Sequence, residues 1–236
     1  MRIGVVGTGN MGRGLGLRWA AAGHEICFGA RRPEAAEATA ALSTGVCTAG
    51  TLAQAARFGP VVLWTVPDVA PGNVVGDVGD LVGRVVIDLT NGPTLPDGGS
   101  RAQMLQAGLP GSRVVKAFNT SSFESLRLSR TEAQAQGVQT LLAGDDPAAL
   151  RLVASLSRDL GIDPIPCGGL ADAADVEGAA RMLIGRIVER DAFLLRLAIT
   201  SLQPAAQPAR LGDRTGVSPG PHQRRGHVQR AARDHT

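Results

Sequence analysis

The run Gly7-Thr8-Gly9-Asn10-Met11-Gly12 follows the apolar residues Ile3, Val5 and Val6 directly and leads into an Ala- and Leu-rich segment, Met11 to Ala22. In a chain with 31 glycines the G-x-G-x-x-G spacing alone carries little weight. Set between a short apolar strand and a helix, it describes a phosphate-binding turn. Gly7 permits the tight bend, Gly9 lets the backbone approach a pyrophosphate, and Gly12 allows the helix to pack closely on the strand. The phosphates would then face the free N–H groups and positive dipole end of the helix. A second group, Ala30-Arg31-Arg32, closes the next strand, Glu25–Gly29, about 20 residues after the glycine loop, where an NAD-binding domain places a carboxylate on the ribose 2′-OH. No carboxylate stands there, and two guanidiniums offer charge and forked donors suited to phosphate oxygens. The expected cofactor is NADP.

Groups able to move a proton are scarce. The chain has no tyrosine, Lys116 is its only lysine, and His24 is its only histidine before residue 222. His24 falls in the loop before the second strand, at the opposite end of the sheet from any ligand. Reduction of a carbonyl generally wants a proton donor beside the new alkoxide, so a hydroxyacid dehydrogenase is a poor fit. Hydride transfer between two ring cofactors requires mainly positioning and exclusion of water. No catalytic acid–base residue and no metal ligand is assigned.

The elements that must position these residues alternate strand and helix. Strands are predicted at Glu25–Gly29, Gly45–Thr48, Pro60–Val66, Arg84–Leu89, Arg113–Phe118, Gln139–Ala143 and Asp163–Pro166, with helices at Pro33–Leu42, Leu52–Arg57, Ala102–Ala107 and Asp146–Leu160, and a broken helical region over Val69–Val82. Such alternation implies a Rossmann-type α/β fold, a doubly wound, mostly parallel sheet covered on both faces. Ligands then bind outside the carboxyl ends of the strands. Thr65-Val66-Pro67, Asn91 after the fifth strand, and Ala117-Phe118-Asn119 after the sixth stand at that edge. Residues 1–168 form the dinucleotide-binding domain. Residues 169–202 form a short helical carboxyl-terminal part, whose Val176, Ala180, Leu183, Ile184, Ile187 and Leu194 recur at helical spacing as a core or dimer face. Residues 203–236 lack the apolar residues for a core and read as a disordered tail.

Charge follows the same division. Arg210, Arg214, Arg224, Arg225, Arg230 and Arg233 face only Asp213 and Asp234 in the tail, so the isoelectric point near 9.2 is a property of that tail. The body shows no basic patch for nucleic acid. No apolar run approaches the roughly 20 residues needed to span a bilayer, and no secretory signal is recognised. Cys27, Cys47 and Cys167 lack metal-type spacing and read as buried free thiols of a cytoplasmic protein.

Taken in order, MRIGVVGTGNMGRGLGLRWAAAGHEI, FGARRPE, WTVPDVAP, VVIDLTNGP, VVKAFNT, LLAGDDPAA and GGLADAADVE resemble the NADPH:coenzyme F420 oxidoreductase family over about residues 1–199. VVKAFNT is the most specific element; the glycine loop alone would also fit pyrroline-5-carboxylate reductases. The resemblance implies a homodimer that exchanges hydride between NADP and the deazaflavin coenzyme F420. It implies that Thr8 to Met11, Arg31, Arg32, Val66 and Pro67 hold NADP, with Ala117 to Asn119 near the meeting point of the two rings. Ala30 departs from the family's small hydroxyl residue. The family's helices continue past residue 200, where this chain turns into QPAAQPARLGDRTG, as a shifted or truncated reading frame would produce. An imine or pyrroline-type reductase, active on cyclic imines, and a non-catalytic NADP-binding sensor, binding NADPH without turnover, are the alternatives.

Charge-assisted hydrogen bonds contribute about 1.5–3 kcal/mol, so Arg31→Ala is expected to weaken NADPH binding about tenfold to a hundredfold and leave NADH nearly unchanged. Fluorescence titration with both dinucleotides checks this; equal losses would make Arg31 a support of the fold.

Overall fold

The computed structural model describes residues 1–67, 74–93, 95–123 and 125–189, with side chains as far as Met182. The expected tail 203–236, Leu194 and part of the broken region 69–82 lie outside the described residues, as do the side chains of Leu183, Ile184 and Ile187. Eight strands, β1 (Arg2–Val6), β2 (Glu25–Gly29), β3 (Cys47–Gly50), β4 (Val61–Trp64), β5 (Val85–Asp88), β6 (Arg113–Lys116), β7 (Gln139–Gly144) and β8 (Asp163–Pro166), form one sheet in the order β3-β2-β1-β4-β5-β6-β7-β8. Neighbours are parallel except β6 and β7, which run antiparallel. Chain order reverses direction between β1 and β4, the crevice where open α/β sheets bind their ligands.

Helices α1 (Asn10–Ala21), α2 (Pro33–Ala40), α3 (Leu52–Phe58), α4 (Val74–Val78), α5 (Arg101–Gly108), α6 (Arg130–Ala135), α7 (Pro147–Asp159) and α8 (Ala173–Glu189) cover the sheet. Alternation along each strand divides the apolar residues between two cores. Ile3, Val5, Phe28, Leu63, Ile87 and Val115 pack with Leu15 and Trp19 of α1 and Val153 of α7. Val6, Val62, Trp64, Val86 and Val114 pack with Leu52 of α3, Leu105 of α5 and Val176 of α8.

The expected β2 and β8 are found residue for residue. β3 begins two residues later than its expected Gly45, because an edge strand with little burial offers no alternation to set its bounds. α6 was not expected from apolar periodicity, since Ala133 is its one buried residue. The helix expected from Leu170 opens with a 3-10 turn, Leu170–Asp172, before α8. Cys27 is buried in β2, whereas Cys47 and Cys167 are only partly covered, which corrects the expectation of uniformly buried thiols. Desolvation raises all three thiols above their ordinary range. His24 lies at the amino end of β2, its Nε2 3.2 Å from Asp159 Oδ2.

Glycines set how closely helices approach β1 and β2. A Cβ on Gly16 would lie 2.5 Å from Phe28 Cε1, and one on Gly4 would fall on the carbonyl oxygen of Ala55 in α3. The Gly4 contact is with backbone, which cannot turn aside as a side chain can. Gly4→Ala is therefore expected to cost about 3 kcal/mol or more. Urea denaturation measures it, and a loss below about 1 kcal/mol would mean that α3 shifts freely on the sheet.

Candidate functional site

The carboxyl ends of β1, β2, β4, β5 and β6 meet along one edge, and each sequence-predicted site residue stands there. Parallel register aligns Gly29, Val6, Trp64, Asp88 and Lys116 as a row. The chain leaves the sheet just past this row through Gly7–Gly12, Arg31–Arg32, Thr65–Pro67, Asn91 and Ala117–Asn119. In-register exit is what brings these segments level although they are spread from Gly7 to Asn119.

The start of the glycine loop is held by the Gly7 N–H, which donates to Gly29 O at 2.9 Å, and by Thr65 Oγ1, whose one proton is shared between the carbonyls of Val6 at 3.0 Å and Gly7 at 3.2 Å. A Cβ on Gly7, at φ 110°, would come within 2.6 Å of that oxygen, and one on Gly12 within 2.7 Å. Gly9 has nothing within 4 Å of its Cβ position and is exposed. Among the described residues, α3, α5, α6 and α7 carry side-chain N-caps, from Thr51, Ser100, Ser129 and Asp146. α1 starts at Gly9 with no side-chain cap and no acidic residue in its first turn. Its first internal bond is Arg13 N to Gly9 O at 2.9 Å. The N–H groups ahead of it lack an intrahelical acceptor, so the loop is open, positive and unobstructed where a phosphate would lie. The residues present fit a pyrophosphate. Arg31 and Arg32 are exposed at the end of β2, with Ala30 buried beneath them.

At β5 and β6 the edge is more closed. Asn91 Nδ2 donates to Asn119 O at 2.8 Å, and Asn119 Nδ2 donates to Asn91 Oδ1 at 3.0 Å and Val176 O at 3.3 Å. Asn119 is 4% exposed, and its Oδ1 is buried without a partner. Phe118 holds φ 59°, a left-handed conformation unusual for an aromatic residue. Its N–H donates to Thr140 Oγ1 at 2.7 Å, and its ring packs edge-on against Trp19 at 5.8 Å in the core. Phe118 thus shapes the turn that presents Asn119, while its own ring and the Ala117 side chain are fully buried in the core.

Beneath this turn lies a fully buried charge cluster that the sequence does not announce. Lys116 Nζ donates to Asp88 Oδ2 at 2.7 Å, Glu177 Oε1 at 2.8 Å and Thr90 O at 2.5 Å, filling its three donor positions. Asp88 Oδ1 accepts from Thr90 N and Oγ1. Glu177 also accepts from the N–H groups of Arg101 at 3.1 Å and Ala102 at 3.3 Å, the first turn of α5. The surplus negative charge therefore rests against a helix N-terminus. Lys116, the conspicuous lone lysine, is a structural cation here. Glu177 was missed because it borders the apolar stripe of α8; a carboxylate in such a stripe needs a buried cation. Val176 and Ala180 of that stripe are buried within their own chain.

The model of the family described as NADP oxidoreductase, coenzyme F420-dependent, matches residues 2–92. An F420-dependent NADP reductase from Methanothermobacter marburgensis is 31% identical over 225 residues, 86% of this chain and 99% of that one. Rattus norvegicus metalloreductase STEAP3 is 27% identical over 187 residues, 78% of this chain, which spans 37% of that protein's length. Among solved structures, a candidate F420-dependent NADP reductase from Arthrobacter sp. fb24 superposes with a TM-score of 0.65 at 24% identity, covering 79% of this chain and 93% of that one.

Removing one member of a buried charge cluster strands the others. Lys116→Met is expected to destabilise the protein by about 3–5 kcal/mol. The double change Lys116→Met with Glu177→Gln should recover part of that loss in chemical denaturation. A single-variant loss under about 1 kcal/mol would show that water reaches the cluster.

Proposed function

Because the chain belongs to the F420-dependent NADP reductase family, we propose that it exchanges hydride between NADP and the deazaflavin coenzyme F420. One observation carries the reading at this chain's own level. α1 and α2 both start without a side-chain cap, but α2 opens on Pro33 and Glu34, whereas α1 has no acidic residue in its first turn and opens on the exposed Gly9 beside Thr65. NADP would lie across β1 and β4 with its pyrophosphate on Gly7–Gly12, its 2′-phosphate toward Arg31 and Arg32, and its nicotinamide between Thr65-Val66-Pro67 and Asn91. The nicotinamide supplies the hydride when bound. The chain's part is to bind, orient and exclude water.

The charged groups near the β5–β6 end fit that division of labour. Asp88, Lys116 and Glu177 are committed to one another and sealed from solvent, so none is free to pass a proton to a substrate. The orphaned Asn119 Oδ1 supplies a fixed acceptor at the point where Ala117–Asn119 would meet the rings. An amide acceptor there orients an N–H donor and leaves the proton count unchanged. Burying it unsatisfied costs about 1–3 kcal/mol, which a bound donor would return.

The same reading carries a homodimer in the cytoplasm, supported by the family and by the free thiols. Among the described residues no helix is long and apolar enough to cross a membrane.

Purified protein mixed with NADPH and coenzyme F420 is expected to bleach the visible absorbance of the deazaflavin, with NADH a much poorer donor. Asn119→Ala should lower the rate at least about tenfold while NADPH affinity falls less. Absence of bleaching by folded protein that binds NADPH would reject the proposed reaction.

A further inference from the structure

Two arginines converge on one loop at the acceptor end of the cleft. Arg101, the first residue of α5, donates from Nη1 to Pro67 O at 3.1 Å, and its guanidinium lies where a Cβ on Gly92 would be. A side chain at 92 would displace it. Arg181, on α8 one turn after Glu177, donates from Nη1 to Gly92 O at 3.3 Å. The two guanidiniums thus flank Gly92, just past Asn91 and the carboxyl end of β5.

Neither has a carboxylate partner among the described residues, whose ion pairs join His24 to Asp159 and Lys116 to Asp88 and Glu177. Glu177 is adjacent to both, but its oxygens are taken by Lys116 and the α5 backbone. Arg101 Nε is buried with no acceptor among the described residues. A buried N–H of a guanidinium left unpaired carries a desolvation cost that an arriving anion removes. Two cations brought to one loop by separate helices also repel each other, which an anion bound there would relieve.

Resting on the proposed reaction, we propose that Arg101 and Arg181 form a docking site for the anionic side arm of the hydride acceptor, a chain bearing phosphodiester and carboxylate groups. The position accounts for the two ends of such a molecule. Its ring would lie over Ala117–Asn119 and the nicotinamide, while its arm leaves the cleft past Gly92 between the two helices. Arg31, Arg32 and the glycine loop, on the β1–β2 side, would hold the dinucleotide's phosphates and leave the pair at β5 to the second substrate. The buried Asp88–Lys116–Glu177 cluster anchors α5 to α8 and so fixes the spacing of the two arginines.

The test uses the full-length protein with NADPH and two acceptors: coenzyme F420 itself and the same deazaflavin truncated to its ribityl alcohol, which lacks the anionic arm. Arg181→Gln is expected to raise KM for F420 about tenfold or more and to change KM for the truncated acceptor less than about twofold. Arg181→Lys should restore part of the loss, and raising the salt concentration should raise KM for F420 selectively. Arg101→Gln should act in the same direction and serves where Arg181→Gln fails to fold. Equal effects on both acceptors would overturn the site, as would a tenfold loss of NADPH affinity in an acceptor-free titration, which would assign the pair to the dinucleotide. Wild-type turnover indifferent to the arm would overturn the site alone. No turnover of either acceptor by wild type would overturn the proposed reaction and the site with it.

Discussion

A lysine with no exposed surface is tolerable only if every donor is met, and the edge of this sheet is built around meeting them. Lys116 joins Asp88 on its own sheet, Thr90 just beyond the neighbouring strand and Glu177 on α8. Because Asp88 and Lys116 are register partners in adjacent parallel strands, the first ion pair follows from the sheet itself. The second does not. It requires α8 to rise along the sheet until Glu177 reaches the last residue of β6 and the first turn of α5 together. Once that contact forms, Val176 O is within reach of Asn119, and Arg181 within reach of Gly92. The carboxyl-terminal helix is therefore positioned by charge as much as by apolar burial.

Such a cluster is an expensive way to fasten a helix. Burying ions costs several kcal/mol each, and well-packed apolar residues often serve as well or better for stability alone. What the ions add is a unique position. An apolar stripe such as Val176 and Ala180 could slide by a turn and still be buried, whereas Glu177 has one location where both oxygens find donors. At a site whose polar groups must be placed within a fraction of an ångström, that selectivity has a use that a few kcal/mol of extra burial lacks.

What the sequence reveals and conceals follows the range of each interaction. The glycine loop is legible because its signal is local: strand, turn and helix occupy the first 21 residues. β2 is legible by apolar content, and β8 by the turn glycines Gly161 and Gly168 that bracket it. α6 escapes periodicity because it buries one residue, although the capping box Ser129 to Glu132 marks its start in the sequence. The antiparallel direction of β7 escapes as well, since an apolar run reads the same either way. The family motif around Lys116 to Asn119 marks where the site lies, but its residues divide unexpectedly: the Lys116, Ala117 and Phe118 side chains are buried as supports, leaving Asn119 to face the edge. The link from Lys116 to Glu177 spans 61 residues of sequence and has no local signature at all.

The strain at Phe118 belongs to the same logic. A left-handed aromatic residue is costly, of order 1–3 kcal/mol, and persists only where its surroundings over-determine it. Here they do: the ring is locked against Trp19, the N–H is held by Thr140, and Lys116 before it and Asn119 after it are each tied to other elements. With β6 ending at Lys116, two residues of extended chain would carry Asn119 away from the sheet. The left-handed turn instead folds it back over β5 against Asn91. The strained backbone, the buried lysine and the unpaired Asn119 oxygen are thus consecutive consequences of one requirement, to hold an amide rigidly at the mouth of a cleft that the rest of the sheet only opens.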